Sequence, residues 1–204
     1  MGKCLFRLGI IIVLSALWAA QFRCMSSPSS RFYVLGSLST KGPEVSPPAE
    51  AGCLSIGIGP IKMPAYLDQR QIVTRSSASE LQLAEFDRWA EPLKENFTRV
   101  LSQNLSTQLC TKTVVVFPWR GTIPTDYNIQ IDVDRFDGAL GGNVSLEAWW
   151  MVFSGNSKRL LWSKKSSFTE PVGGKDYESL VSAQSRNLAS LSREIAEAIV
   201  QLSK

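Results

Sequence analysis

The sequence predicts an α+β fold: a single mixed, mostly antiparallel sheet with two long helices packed on one face. Three observations carry that expectation. Short apolar runs rich in Ile and Val recur along the chain, each bounded by Gly, Pro, Asn or Ser. Asp126–Val133 alternates cleanly, with Tyr127, Ile129, Ile131 and Val133 on one side and Asn128, Gln130 and Asp132 on the other. Two further stretches repeat apolar residues at helical spacing.

In chain order, Phe32–Leu35 is a short strand and Gly36–Gly52 a loop, with Gly42-Pro43, Pro47-Pro48 and several Ser. Leu54–Ile61 and Gln71–Arg75 are strands around a proline-fixed connector, because Gly59-Pro60 and Met63-Pro64 force extended backbone. Asp87 and Pro92 open the first helix, and Leu93, Phe97, Val100, Leu101, Leu105 and Leu109 form its stripe from Ala90 onward. Thr113–Phe117 is a β-branched run that reads as a buried strand. Gly138, Gly141 and Gly142 mark the turn after the alternating strand. Val144, Leu146, Ala148, Trp150 and Val152 then share a face, and Leu160–Phe168 returns after Ser154-Gly155-Asn156. The last helix spans Asp176–Leu202, with Leu180, Val181, Leu188, Leu191, Ile195, Ile199 and Leu202 on one stripe. Its other face carries Ser182, Ser185, Arg186, Ser190 and Arg193, which favours a solvated surface over membrane insertion.

The N-terminus reads as a secretory signal. Lys3 and Arg7 precede an apolar run from Leu8 to Ala20, too short for a comfortable transmembrane helix. Cys24 follows and is the candidate for lipid attachment. A lipoprotein signal wants a small residue before the cysteine, and this chain has Gln21-Phe22-Arg23 there, so a short uncleaved anchor and a cleaved soluble form stay open. Residues 1–24 are therefore the signal segment, 25–31 a tether and 32–204 one domain, long enough for a single sizeable core. The whole chain carries 22 Lys+Arg against 18 Asp+Glu. The signal holds Lys3, Arg7 and Arg23, which leaves 19 against 18, a balance that argues against nucleic acid.

Cys4 lies in the signal. Acylation of Cys24 would leave Cys53 and Cys110, either joined as a disulfide in an oxidising compartment or packed as two buried thiols. The chain has no histidine, the commonest general base and metal ligand. Asp132, Asp134 and Asp137 cluster, but the spacing lacks the glycine and terminal glutamate of a calcium loop. Asp132 and Asp134 belong to the solvated face of a strand, and Asp137-Gly138 makes a turn. No serine sits in a nucleophile elbow, and Gly57-x-Gly59 precedes a proline rather than a helix. No enzyme chemistry, cofactor or metal site is expected.

Two surfaces could bind a partner. One is the connector, through Met63, Pro64, Tyr66 and Leu67, unless these residues simply plug the end of the core. The other is the face bearing Trp149, Met151 and Phe153, opposite the set that meets the helices. A strand apolar on both faces needs cover on both. The Gly36–Gly52 loop could supply it; otherwise the face is a subunit or partner interface or an acyl-chain contact.

Residues from about Phe32 to the C-terminus resemble the ABC-type transport auxiliary lipoproteins, the PqiC-like outer-membrane partners of MCE lipid-transport systems. The resemblance is carried by Phe32-Tyr33-Val34-Leu35, by Gly59-Pro60 with Pro64-Ala65-Tyr66-Leu67-Asp68 and Gln71-Ile72-Val73, and by Arg88-Trp89-Ala90-Glu91-Pro92-Leu93. It implies a non-catalytic lipoprotein on the periplasmic face of the outer membrane, docking the periplasmic machinery there. Implied partners are an MCE-domain protein, ABC transporter subunits and outer-membrane phospholipid; a second copy of the chain is the further candidate, from the Trp149 face. A lipid-carrying module and an assembly or regulatory lipoprotein of another envelope complex are the alternatives.

Overall fold

The computed structural model describes residues 29–37, 52–118 and 123–204. The signal segment, Cys24, most of the tether and most of the Gly36–Gly52 loop lie outside the described residues. The elements are β1 (Arg31–Tyr33), β2 (Leu54–Lys62), a 3-10 turn (Ala65–Leu67), β3 (Gln71–Arg75), β4 (Leu81–Trp89) and α1 (Leu93–Gln108). Then follow β5 (Thr111–Val116), β6 (Tyr127–Gly138), β7 (Asn143–Ser154), β8 (Leu160–Pro171) and α2 (Tyr177–Leu202).

The α+β class stands, but the single sheet does not: the strands form two sheets. A five-stranded sheet has the order β5-β2-β6-β7-β8, and a three-stranded sheet the order β1-β4-β3. In the larger sheet β2 runs parallel to both β5 and β6, while β6, β7 and β8 form an antiparallel meander. In the smaller one β4 is parallel to β1 and antiparallel to β3. The strand β4 is the source of the correction. The sequence reading opens a helix at Asp87, whereas Asp87 to Trp89 are still in the ladder. The Trp89 N–H donates to Arg70 O at 2.8 Å and the Ala90 N–H to Tyr33 O at 2.9 Å. The helix begins only at Leu93, with Pro92 as its N-cap, where proline's missing N–H costs nothing.

The two helices cover the same face of the five-stranded sheet, α1 over β2 and β5, α2 over β6 to β8. Alternation fills the space between them. Ile56, Ile58, Ile129, Ile131, Val144, Leu146, Ala148, Trp150 and Val152 are all fully buried on that face. Phe97 of α1 meets Phe136 of β6 edge to face, centroids 5.5 Å apart. Asn104 of α1 donates to Ser192 Oγ of α2 at 3.1 Å, so the helix seam carries a satisfied polar contact. Asp176 caps α2 by accepting the Ser179 N–H at 2.8 Å.

Strand β5 is an edge strand and is only half-buried, against the expectation of a buried one. Among the described residues it pairs with β2 alone, which leaves its other side unlaced. Gly59, in the bend of β2, has φ +110°, and a Cβ there would lie 2.7 Å from Phe117 Cβ. Only glycine tolerates both the conformation and that approach.

Candidate functional site

The smaller sheet and the connector close over one end of the larger sheet, and a buried carboxylate joins them. Asp137, expected in a turn, is instead the penultimate residue of β6, and its side chain is wholly inaccessible. The turn lies beyond it, at Ala139–Gly142. Register pairs Asp137 with Ser145 and Arg135 with Glu147, on the side of the sheet away from the helices. Arg75 of β3 donates to both carboxylate oxygens, from Nε at 2.8 Å and Nη2 at 2.9 Å. Tyr66 Oη donates at 2.7 Å and Arg135 Nε at 3.0 Å.

Four charge-assisted bonds onto one buried anion fasten connector, β3 and β6 together. Burial pushes the Asp137 carboxyl up, but the bonds from Arg75, Tyr66 and Arg135 outweigh it and hold the group below the usual carboxylate range. Burial, together with the bond to Asp137, pushes the Tyr66 phenol up to about 12. Asp137 also raises Arg75. Within the connector, then, Leu67 is core and Tyr66 serves the clasp. Met63 and Pro64 are half-buried, and Met63 lines a surface groove of about 600 Å³ with Lys94 and Glu95 of α1.

The far end of that sheet face is open. Trp149 is 52% exposed, and Met151 and Phe153 are half-buried beside it. Across the ladder Trp149 faces Asp132 and Lys165, Met151 faces Gln130 and Ser163, and Phe153 faces Asn128. Lys165 reaches Asp134 at 2.9 Å and Lys62 reaches Asp132 at 3.4 Å. The three clustered aspartates are thus each matched to cationic side chains. The Trp149 indole N–H donates to Ser163 Oγ at 2.6 Å, which fixes the ring on the surface. An exposed aromatic side chain thus stands within a polar and ionic rim.

On the opposite face, the Trp150 indole N–H donates to Ser166 Oγ at 2.9 Å and to Glu194 Oε1 at 3.2 Å. Ser166 also bonds Glu194, and Lys164 pairs with it at 3.1 Å. Sequence reasoning missed this network and the Asp137 clasp, whose members lie far apart in the chain. Cys53 and Cys110, at the starts of β2 and β5, are joined in the structure with Cα atoms 4.7 Å apart.

The described residues thus form a clasped α+β domain whose larger sheet has one end of a face open, with Trp149 exposed on it. The chain belongs to the family of ABC-type transport auxiliary lipoprotein components, whose family model matches residues 33–196. That family is an auxiliary part of transport systems and not an enzyme family. The intermembrane transport lipoprotein PqiC of Escherichia coli (strain K12) is 25% identical over 142 residues, 70% of this chain and 72% of that protein. The PqiC of Shigella flexneri matches equally. Among solved structures, a Xanthomonas campestris protein superposes with a TM-score of 0.67 at 17% identity, covering 84% of this chain and 97% of its own. A crystal structure of an uncharacterized protein does so at 0.67 and 20% identity, covering 84% and 99%. Those two likenesses speak for the fold.

Proposed function

We propose that this chain is a non-catalytic periplasmic lipoprotein of an MCE/ABC-type lipid-transport system, anchored through Cys24 and docking the periplasmic machinery to the outer membrane. Membership of the transport auxiliary family supports a role beside an ABC-type system, and the PqiC likeness supports transport between membranes. One structural observation favours docking over carrying. The space between the sheet and the helices is filled by Trp150, Phe97, Phe136, Leu101, Leu105 and Leu180, each fully buried. Side chains filling that space favour a packed core over an acyl-chain cavity. Apolar surface open to a partner lies on the outside instead, Trp149 with Met151 and Phe153 among it.

Affinity capture of the full chain from native membranes tests the proposal. Recovery of an MCE-domain protein or its ATPase supports docking. Stoichiometric co-purified lipid with no such protein would replace it with the carrier reading, and recovery of an unrelated envelope enzyme with a regulatory one. A fatty-acid probe reports on Cys24: labelling lost in Cys24→Ser supports the anchor, and an unlabelled parent chain removes it.

A further inference from the structure

The outer face of the three-stranded sheet carries a second feature, unrelated to the Trp149 patch. A cleft of about 510 Å³ opens there, lined by Phe32, Asp68, Arg70, Arg88, Trp89 and Pro92, among others. Register sets Phe32 and Gln71 on either side of Arg88. Trp89, 5% exposed, packs into the core beneath. Phe32 is 64% exposed, the most exposed large apolar side chain among the described residues.

The charges in this cleft are unspent. Glu91, also on its wall, is held by Arg99 at 2.6 Å. Asp68, Arg70 and Arg88 enter no ion pair among the described residues. The Arg88 Nε–H is shielded from solvent and has no acceptor. A buried guanidinium N–H without a partner is unfavourable, so an anion here would relieve it. Two guanidiniums and one carboxylate in one cleft complement a ligand that carries an anion and a cation a short distance apart.

The position says where such a ligand comes from. Phe32 lies eight positions after Cys24. A fully extended chain of that length spans at most ~29 Å. With the anchor of the reading above, on which this inference rests, the cleft is held beside the membrane surface. We propose that it is a phospholipid headgroup site, selective for phosphoethanolamine. The phosphate takes the N–H groups of Arg70 and Arg88, the primary ammonium donates to Asp68, and Phe32 enters the interface beside it. A choline headgroup has no N–H to give Asp68, and a glycerol headgroup has no cation.

The test titrates the full chain in detergent micelles with dihexanoylphosphatidylethanolamine, dihexanoylphosphatidylcholine and inorganic phosphate, following arginine side-chain signals by proton–nitrogen NMR. The ethanolamine lipid should shift the Arg88 Nε–H signal and bind best. Arg88→Gln should weaken it about tenfold or more, the loss of one charge-assisted bond. Arg88→Lys, which keeps the charge and loses the fork, should fall between. Asp68→Asn, at an exposed position, should abolish the preference for ethanolamine over choline and leave choline binding as it was. Equal response to all three probes, shifts confined to other residues, or an Arg88→Gln chain that binds like the parent overturns the proposal. Headgroup selectivity without a recovered transport partner would sink the docking function alone. A recovered partner without selectivity would sink the cleft alone.

Discussion

Trp149 and Trp150 are neighbours in sequence and opposites in fate. Trp150 is fully buried against α2 with its N–H bonded to Ser166 and Glu194, and Trp149 is half in water with its N–H bonded to a surface serine. The two faces of β7 therefore do different work. The even positions, Val144 to Val152, bind the domain together. The odd positions run from the clasped end, where Ser145 pairs with Asp137, to the open end at Phe153. Burial explains the first set; among the described residues nothing covers the second at its open end. Where a sheet is covered on one face throughout and on the other at one end only, the uncovered end is where partner contact is cheapest to build.

The comparison can be broken most directly at Trp150. Trp150→Ser removes a large core side chain and the indole donor that Ser166 and Glu194 share. We expect a loss of about 3–5 kcal/mol in denaturant-melt stability. A loss under 1 kcal/mol would mean that the helix-covered face is not the stabilising one. The sheet's β5 edge offers the next largest effect. Cys53 and Cys110 close a loop of 57 residues between β2 and β5. Replacing both by Ser should cost about 2–4 kcal/mol, chiefly by freeing the unfolded chain. Thiol counting under denaturation should find both blocked in the parent; two free thiols would refute the bond, leaving a double variant as stable as its parent.

At the clasped end, Asp137→Asn leaves Arg75 and Arg135 without their anion. Both arginines keep partial access to water, so the expected cost is about 2–3 kcal/mol, below that of a fully buried pair. The pH dependence has a definite sign. The Asp137 pKa is lowered in the fold, so its stabilisation is present above the unfolded value and is lost as pH falls through the folded one. The Tyr66 pKa is raised to about 12, so its share is complete below the unfolded value of about 10 and is lost between about 10 and 12. Melting temperature against pH should fall at both edges. Asp137→Asn should flatten the acid edge, and Tyr66→Phe should make the alkaline fall shallower. Tyr33, bonded to Asp87 and likewise raised to about 12, keeps part of that fall in place.

How much of this was legible depended on whether a pattern was local. Strands β6 and β7 announce themselves because each residue's partner set is written in its own alternation, and α2 because its stripe spans the whole helix. The three-stranded sheet does not. In β4 the buried residues are Ala84, Asp87 and Trp89, a spacing that fits neither period 2 nor a helical stripe. One of its partners is three residues long. Asp137 followed by glycine looks like a turn, and nothing local links it to Arg75, 62 positions away. Missing that sheet made the second face of the larger one look bare throughout, when one end of it is covered. Trp149, Met151 and Phe153 were legible as surface candidates because a run apolar on both faces violates the usual half-buried pattern. The Arg88 cleft was not, since two strands and a loop assemble it.

The smallest effect on stability is expected at Trp149, and it sharpens the comparison most. With 52% of its surface already in water, Trp149 gains little from folding, and its bond to Ser163 is solvent-accessible. Trp149→Ser should therefore change stability by no more than about 1 kcal/mol. The same substitution removes the one large aromatic side chain standing out from this face, the type of residue on which interface energy concentrates. We expect partner capture or self-association to fall at least tenfold while the melt stays close to the parent's. Phe153→Ser, half-buried, should lie between Trp149→Ser and Trp150→Ser in stability and near Trp149→Ser in association. Melting beside sedimentation and capture from native membranes separates the two quantities for each variant. If Trp149→Ser melts as low as Trp150→Ser and associates normally, the open end belongs to the core of the domain, and its cover comes from the chain itself.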